Sequence, residues 1–198
     1  MAESLPSWKV IESELALRPK SVSVRLALRA AARLAPVIAE GTAEYGPESL
    51  EWFHATYAVV NAVEAYSRGE RVSRFTLDLS AELVRGAANA AVGTIRLLGH
   101  SKAAEDTELA FAAAAFAADA ARLSAAPRIA AAAMQALRVA HASGRIPEQL
   151  LAADYAGADG PLWPDGEPAW SSEGRTKLAA AIGLPVILGL GGSIAQFS

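Results

Sequence analysis

From Ala103 to Gly144 the chain reads AAEDTELAFAAAAFAADAARLSAAPRIAAAAMQALRVAHASG, and alanine decides what such a stretch can become. Alanine is the strongest helix former because its side chain loses no rotamer freedom in a helix. Pro127 divides the stretch, since proline has no backbone N–H to donate and clashes inside a helix. The segment therefore predicts two helices, near Lys102–Ser124 and Pro127–Ser143, joined by a short turn into an antiparallel hairpin.

In the first of these helices Leu109, Phe116 and Leu123 recur every seventh residue, with Ala112, Ala113 and Ala120 filling positions between them. Its polar stripe is thin: Glu105, Glu108, Asp119 and Arg122. In the second, Ile129, Ala133, Leu137 and Ala140 share one face, and Arg128, Gln135, Arg138 and Arg145 lie opposite. Helices apolar around most of their circumference belong at the centre of a bundle. Burying an alanine methyl yields about 0.8 kcal/mol, against roughly 1.5–3 for leucine or phenylalanine. Such a core must depend on close backbone approach and many small contacts.

Around the hairpin the chain reads as further helices. Trp8, Ile11 and Leu15 share a face, which predicts a short helix over Leu5–Leu17 ended by Pro19. A second helix is expected over Ser21–Glu40, capped by Ser21 or Ser23, with a kink or early end at Pro36. Gly46-Pro47-Glu48 starts a third, running to about Arg68. A fourth runs from Leu77 or Ser80 to Leu98, where Gly86, Ala90 and Gly93 suggest close approach to the hairpin. Pro147 opens a short helix to Ala156. An irregular loop follows over Gly157–Trp170, pinned to the bundle by Trp163 and Trp170, and then a final helix over Ser171–Ile182. The fold class is all-α: an alanine-rich bundle of six to seven helices in a single domain over 1–183, followed by an apolar tail over 184–198.

Composition narrows the class further. The 198 residues suit one domain with a sizeable core, and 7% aromatic content with much alanine excludes a sandwich or barrel. A net charge of −3 gives no general pull toward nucleic acid. There is no cysteine, hence no disulfide framework, thiolate nucleophile or cysteine metal site. The MAES start lacks the features of a signal peptide, so the expected location is cytoplasmic. Arginine heavily outnumbers lysine and alanine is abundant, the codon signature of a GC-rich bacterial genome.

Few residues point to chemistry. Glu51 and His54 form a Glu-x-x-His pair, the spacing with which ferritin-like di-iron bundles hold metal. Those bundles use two such pairs, whereas Leu97 and Arg138 stand three residues before His100 and His141. No metal site and no cofactor are therefore assigned. His54, Tyr57 and Asn61, with Glu51, make a candidate polar pocket; the structural alternative is a buried network that fixes packing. No phosphate loop, nucleophile elbow or zinc cluster is present, and no catalytic residue is named.

The strongest charge feature is a basic stripe: Arg25, Arg29 and Arg33 at successive four-residue steps, with Arg18 seven residues before Arg25. It is a candidate surface for an acidic partner. Its internal use would be to receive the later acidic segment containing Asp154, Asp159, Asp165, Glu167 and Glu173. The tail from Leu178 carries no charged side chain, but Gly183, Pro185 and three further glycines interrupt it. Val186, Ile187, Leu188, Leu190, Ile194 and Phe197 make it a candidate docking peptide, for the bundle, a second copy or another protein. The leading functional reading is a non-catalytic helical interaction or scaffolding module, with self-association among its expected protein contacts. The alternative is a membrane-associating effector using the tail, and the third is a small helical enzyme centred on His54.

Overall fold

The computed structural model describes residues 4–40, 82, 86, 101–157 and 161–182. Among them the chain is all-α, with six α-helices, one 3-10 turn and no strand. They are α1 (Trp8–Leu15), α2 (Lys20–Leu34), α3 (Lys102–Arg122), α4 (Ala126–Ala142), α5 (Glu148–Ala156) and α6 (Ala169–Ile182), with the 3-10 turn at Ala35–Val37. The helices expected over 47–68 and 77–98 lie outside the described residues, apart from Glu82 and Gly86, both helical.

Sequence punctuation explains most boundaries. Pro36 breaks α2 into the tighter turn, because its ring cannot accept the regular i−4 geometry. Helical conformation then resumes at 38–40. Ser101 caps α3, its Oγ accepting the Ala104 N–H at 3.1 Å. The other end of α3 is closed from outside: Lys20 Nζ donates to the carbonyls of Ala121 and Leu123 at 2.6 and 2.7 Å. A cation is favoured at that negative dipole end. Pro127 sits in the first turn of α4, where its missing N–H removes nothing. Gly157 ends α5 in the left-handed conformation, φ +94°. The expected serine cap of α2 is not used; Pro19 precedes the helix instead.

α2, α3 and α4 pack against one another pairwise, and α1 lies on α4. The hairpin is therefore central, and α2 shares that position. α3 buries nearly its whole circumference, mostly through small residues, with Phe111 as its fully buried large side chain. Ala110, Ala113, Ala114, Ala117, Ala118, Ala120 and Ala121 are all 0–1% exposed, whereas Leu109, Phe116 and Leu123 are half-buried at the margin of the core. The seven-residue apolar row is thus at its edge, and the alanines, with Phe111, are its centre. Close packing selects small residues where three backbones converge.

Of the three small residues expected to approach the hairpin, Ala90 and Gly93 lie outside the described residues. Gly86 is exposed, and a Cβ added there would meet nothing within 4 Å, so this position does not serve close approach. The close approach is at Gly174 in α6. A Cβ there would lie 2.9 Å from the Pro36 carbonyl carbon and closer still to its oxygen. α6 is seated on the 3-10 turn through this glycine.

Candidate functional site

The distinctive chemistry lies between α2, α5 and the segment that follows α5. Arg29 and Arg33 are one turn apart on α2, and both turn toward Asp154 in the last turn of α5. Arg29 Nε donates to Asp154 Oδ1 at 2.8 Å. Arg33 grips the same carboxylate with both terminal nitrogens, Nη2 to Oδ1 at 3.0 Å and Nη1 to Oδ2. Arg33 also donates from Nε and Nη2 to the Leu162 carbonyl, at 3.0 and 2.8 Å, and Arg29 Nη2 reaches the Pro161 carbonyl at 3.1 Å. The Arg33 side chain is completely buried, and those of Arg29 and Asp154 are 7% and 2% exposed.

Arginine suits this position because its planar fork matches a carboxylate in two bonds and leaves donors for carbonyls. Burial draws the Arg33 guanidinium below its ordinary value; Asp154 opposes that shift, and Arg29 adds to it. The indole of Trp163 covers the guanidinium, 5.4 Å from ring centre to Cζ. Trp163 meets Trp170 edge to face at 5.9 Å. Both tryptophans pack half-buried against the core.

A second cluster lies beyond Trp170. Arg145 stands over that ring at 5.8 Å and donates from Nε to Asp106 Oδ2 at 2.8 Å. It also reaches Glu40 with Nη1 and Nη2, at 3.3 and 2.6 Å. Asp106 is fully buried on α3. Lys102 Nζ lies 2.6 Å from its Oδ1 but off the line of a hydrogen bond, so charge alone holds that oxygen. Burial pulls the Arg145 guanidinium down, yet Asp106 and Glu40 outweigh it and the net shift is upward.

No protein-family model matches the chain, and neither a curated protein nor a solved structure does.

The structure separates the four arginines of the basic stripe. Arg29 and Arg33 are internal, because Asp154 and the 161–162 carbonyls enclose them, so these two are not a solvent-facing stripe. Arg25 is half-buried. Arg18 is half-buried on another contact: Nη1 donates to the Tyr155 carbonyl at 2.5 Å, and the guanidinium stands 4.6 Å over the Tyr155 ring. Tyr155 in turn donates its hydroxyl to Glu14. Burial and the Glu14 carboxylate push the Tyr155 hydroxyl up to about 12.

Glu51, His54, Tyr57 and Asn61 lie outside the described residues, as do Val186, Ile187, Leu188, Leu190, Ile194 and Phe197 of the tail. Among the described residues no group of three or more His, Asp or Glu could hold a metal ion, and no helix is long and apolar enough to cross a membrane.

The sequence reading singled out neither Asp106 nor Glu40, and it named Asp154 only within an acidic segment. One signal was available: an aspartate inside an alanine-rich helix is a poor helix former with no cap to make, so it needs a tertiary partner.

Proposed function

We propose that this chain is a non-catalytic helical interaction module, with the outer side of α1 and the turn after it as the surface offered to another protein or to a second copy. The observation that carries the reading is the use of the strong polar groups. Among the described residues the four buried charged side chains are Arg29, Arg33, Asp106 and Asp154, and each is bound to a residue of another element. Such groups hold a shape and leave the outer faces to do the binding. Val10, on α1, and Leu17, in the turn two residues beyond it, are 43% and 89% exposed. Exposed apolar side chains on neighbouring stretches of one surface suit a contact with another protein.

Sedimentation velocity over a concentration series, combined with a photo-crosslinking amino acid at position 17 in producing cells, tests this. The expected result is concentration-dependent association, or one reproducible crosslinked protein, lost in Leu17→Asp while the helical signal is kept. A chain that stays monomeric and yields no reproducible crosslink would overturn the reading.

A further inference from the structure

We infer that residues 161–182 form an arm that detaches from the bundle as one unit, uncovering the Arg29/Arg33 pair. This goes beyond the binding role of α1. The first observation is that the arm is tied within itself. Glu167 accepts from Ser171 Oγ at 2.7 Å and from Arg175 Nη2, joining the irregular segment to the first two turns of α6. The Ser171 and Ser172 N–H groups donate to the Pro168 carbonyl at 2.9 and 3.2 Å. Trp163 packs edge to face on Trp170, the second residue of α6.

The second observation is how the arm is held from outside. Arg29 and Arg33 bind the Pro161 and Leu162 carbonyls, and Arg33 stands over Trp163. Arg145 stands over Trp170. Gly174 sits against the Pro36 carbonyl. Leu162 is buried beside Ala32 in a small cluster apart from the main core. The polar anchors are directional and spread along one side, Leu162, Trp163 and Trp170 add apolar contact, and the internal ties are short in sequence. A segment tied within itself and held by a few separate anchors opens as a cooperative unit. When it leaves, Arg33 loses its carbonyl acceptor and its indole cover, and keeps Asp154.

Native-state hydrogen exchange on the full chain, wild type and Gly174→Ala, tests the inference. A methyl at 174 wedges α6 off Pro36 and touches none of the groups around Arg33. In the wild type, the hydrogen-bonded amides of the arm, Gly166 and those from Ser171 onward, should share one protection level, below that of α2, α3 and α4. Gly174→Ala should raise exchange roughly tenfold at all of them, Gly166 included, with α3 and α4 unchanged. Labelling of Arg33 by the arginine-selective reagent phenylglyoxal should rise in step. Faster exchange confined to the turn around residue 174, equal acceleration throughout the chain, or unchanged Arg33 labelling would each overturn it. If the variant does not fold, the wild-type profile decides: protection of 161–182 equal to that of α3 and α4, or split between the irregular segment and α6, overturns the inference.

Discussion

The α3–α4 hairpin and the 161–182 segment are held in place by opposite kinds of force. In the hairpin, alanines at 0–1% exposure bring backbones together, and stabilisation accumulates from many weak, non-directional contacts. Segment 161–182 meets α2 and the 3-10 turn through the Arg29 and Arg33 guanidinia on two carbonyls, an indole over Arg33 and one glycine seat. Apart from the apolar packing of Leu162, Trp163 and Trp170, its anchors are few and each has a required geometry. The first kind of contact degrades gradually when altered, whereas the second fails at single atoms.

The largest effect should come from Asp154→Asn, which keeps the shape and removes the charge, leaving Arg33 buried without its counter-ion. A loss of about 3–5 kcal/mol is expected, which for a chain of this size lowers Tm by roughly 10 °C. A thermal melt that hardly moves would break the comparison, because the directional contacts would then be holding little. Next come Ala113→Leu and Ala133→Leu, both at fully buried hairpin positions. Each should overpack the core by about 1–3 kcal/mol in chemical denaturation. No change in either variant would mean that the alanine contacts are loose.

Tyr155 offers a pH-dependent test. Its hydroxyl is pushed up to about 12 in the folded chain, against its ordinary value of 10.0. Between those values the unfolded chain has lost the proton and the folded chain keeps it, so stability falls as pH rises through that window. Below it the contribution is fully present. Tyr155→Phe should cost about 1 kcal/mol at neutral pH and flatten this part of the alkaline limb. The smallest effect belongs to Leu17→Asp, within about 0.5 kcal/mol by denaturant titration, since the side chain is 89% exposed. A larger loss would place Leu17 in an intramolecular contact.

What the sequence made legible follows from the same division. Helix breaks were readable because proline and glycine act locally: Pro36, Pro127, Pro147 and Gly157 fall where helices end, change or begin. The hairpin was readable because alanine propensity is also local. The arginine cluster was readable only in part: the internal use, with the acidic segment containing Asp154 folded across the stripe, was one of the readings, but arginines four residues apart look alike whether they face water or a buried aspartate far along the chain. An alanine-built core was legible, but which apolar residues of α3 sit deepest was not, because the crowding that favours alanine is set by two other helices. Gly174 drew no notice because nothing in its neighbourhood in the sequence reveals Pro36 above it.

The alanine faces have one further consequence. A surface of methyl groups is nearly featureless, so two such helices could slide by a turn or rotate by one row and bury a similar area. Alanine contacts alone would therefore admit several neighbouring arrangements of comparable energy. Arg33 uses Nε, Nη1 and Nη2 on acceptors from two different parts of the chain, and no displaced arrangement offers the same set. The fork acts as a key that admits one setting of α2 against α5. An Arg29→Met, Arg33→Met, Asp154→Leu triple replacement should accordingly keep its helical content and much of its stability. Its amide NMR spectrum should show doubled or broadened signals along α2, where the wild type shows one set.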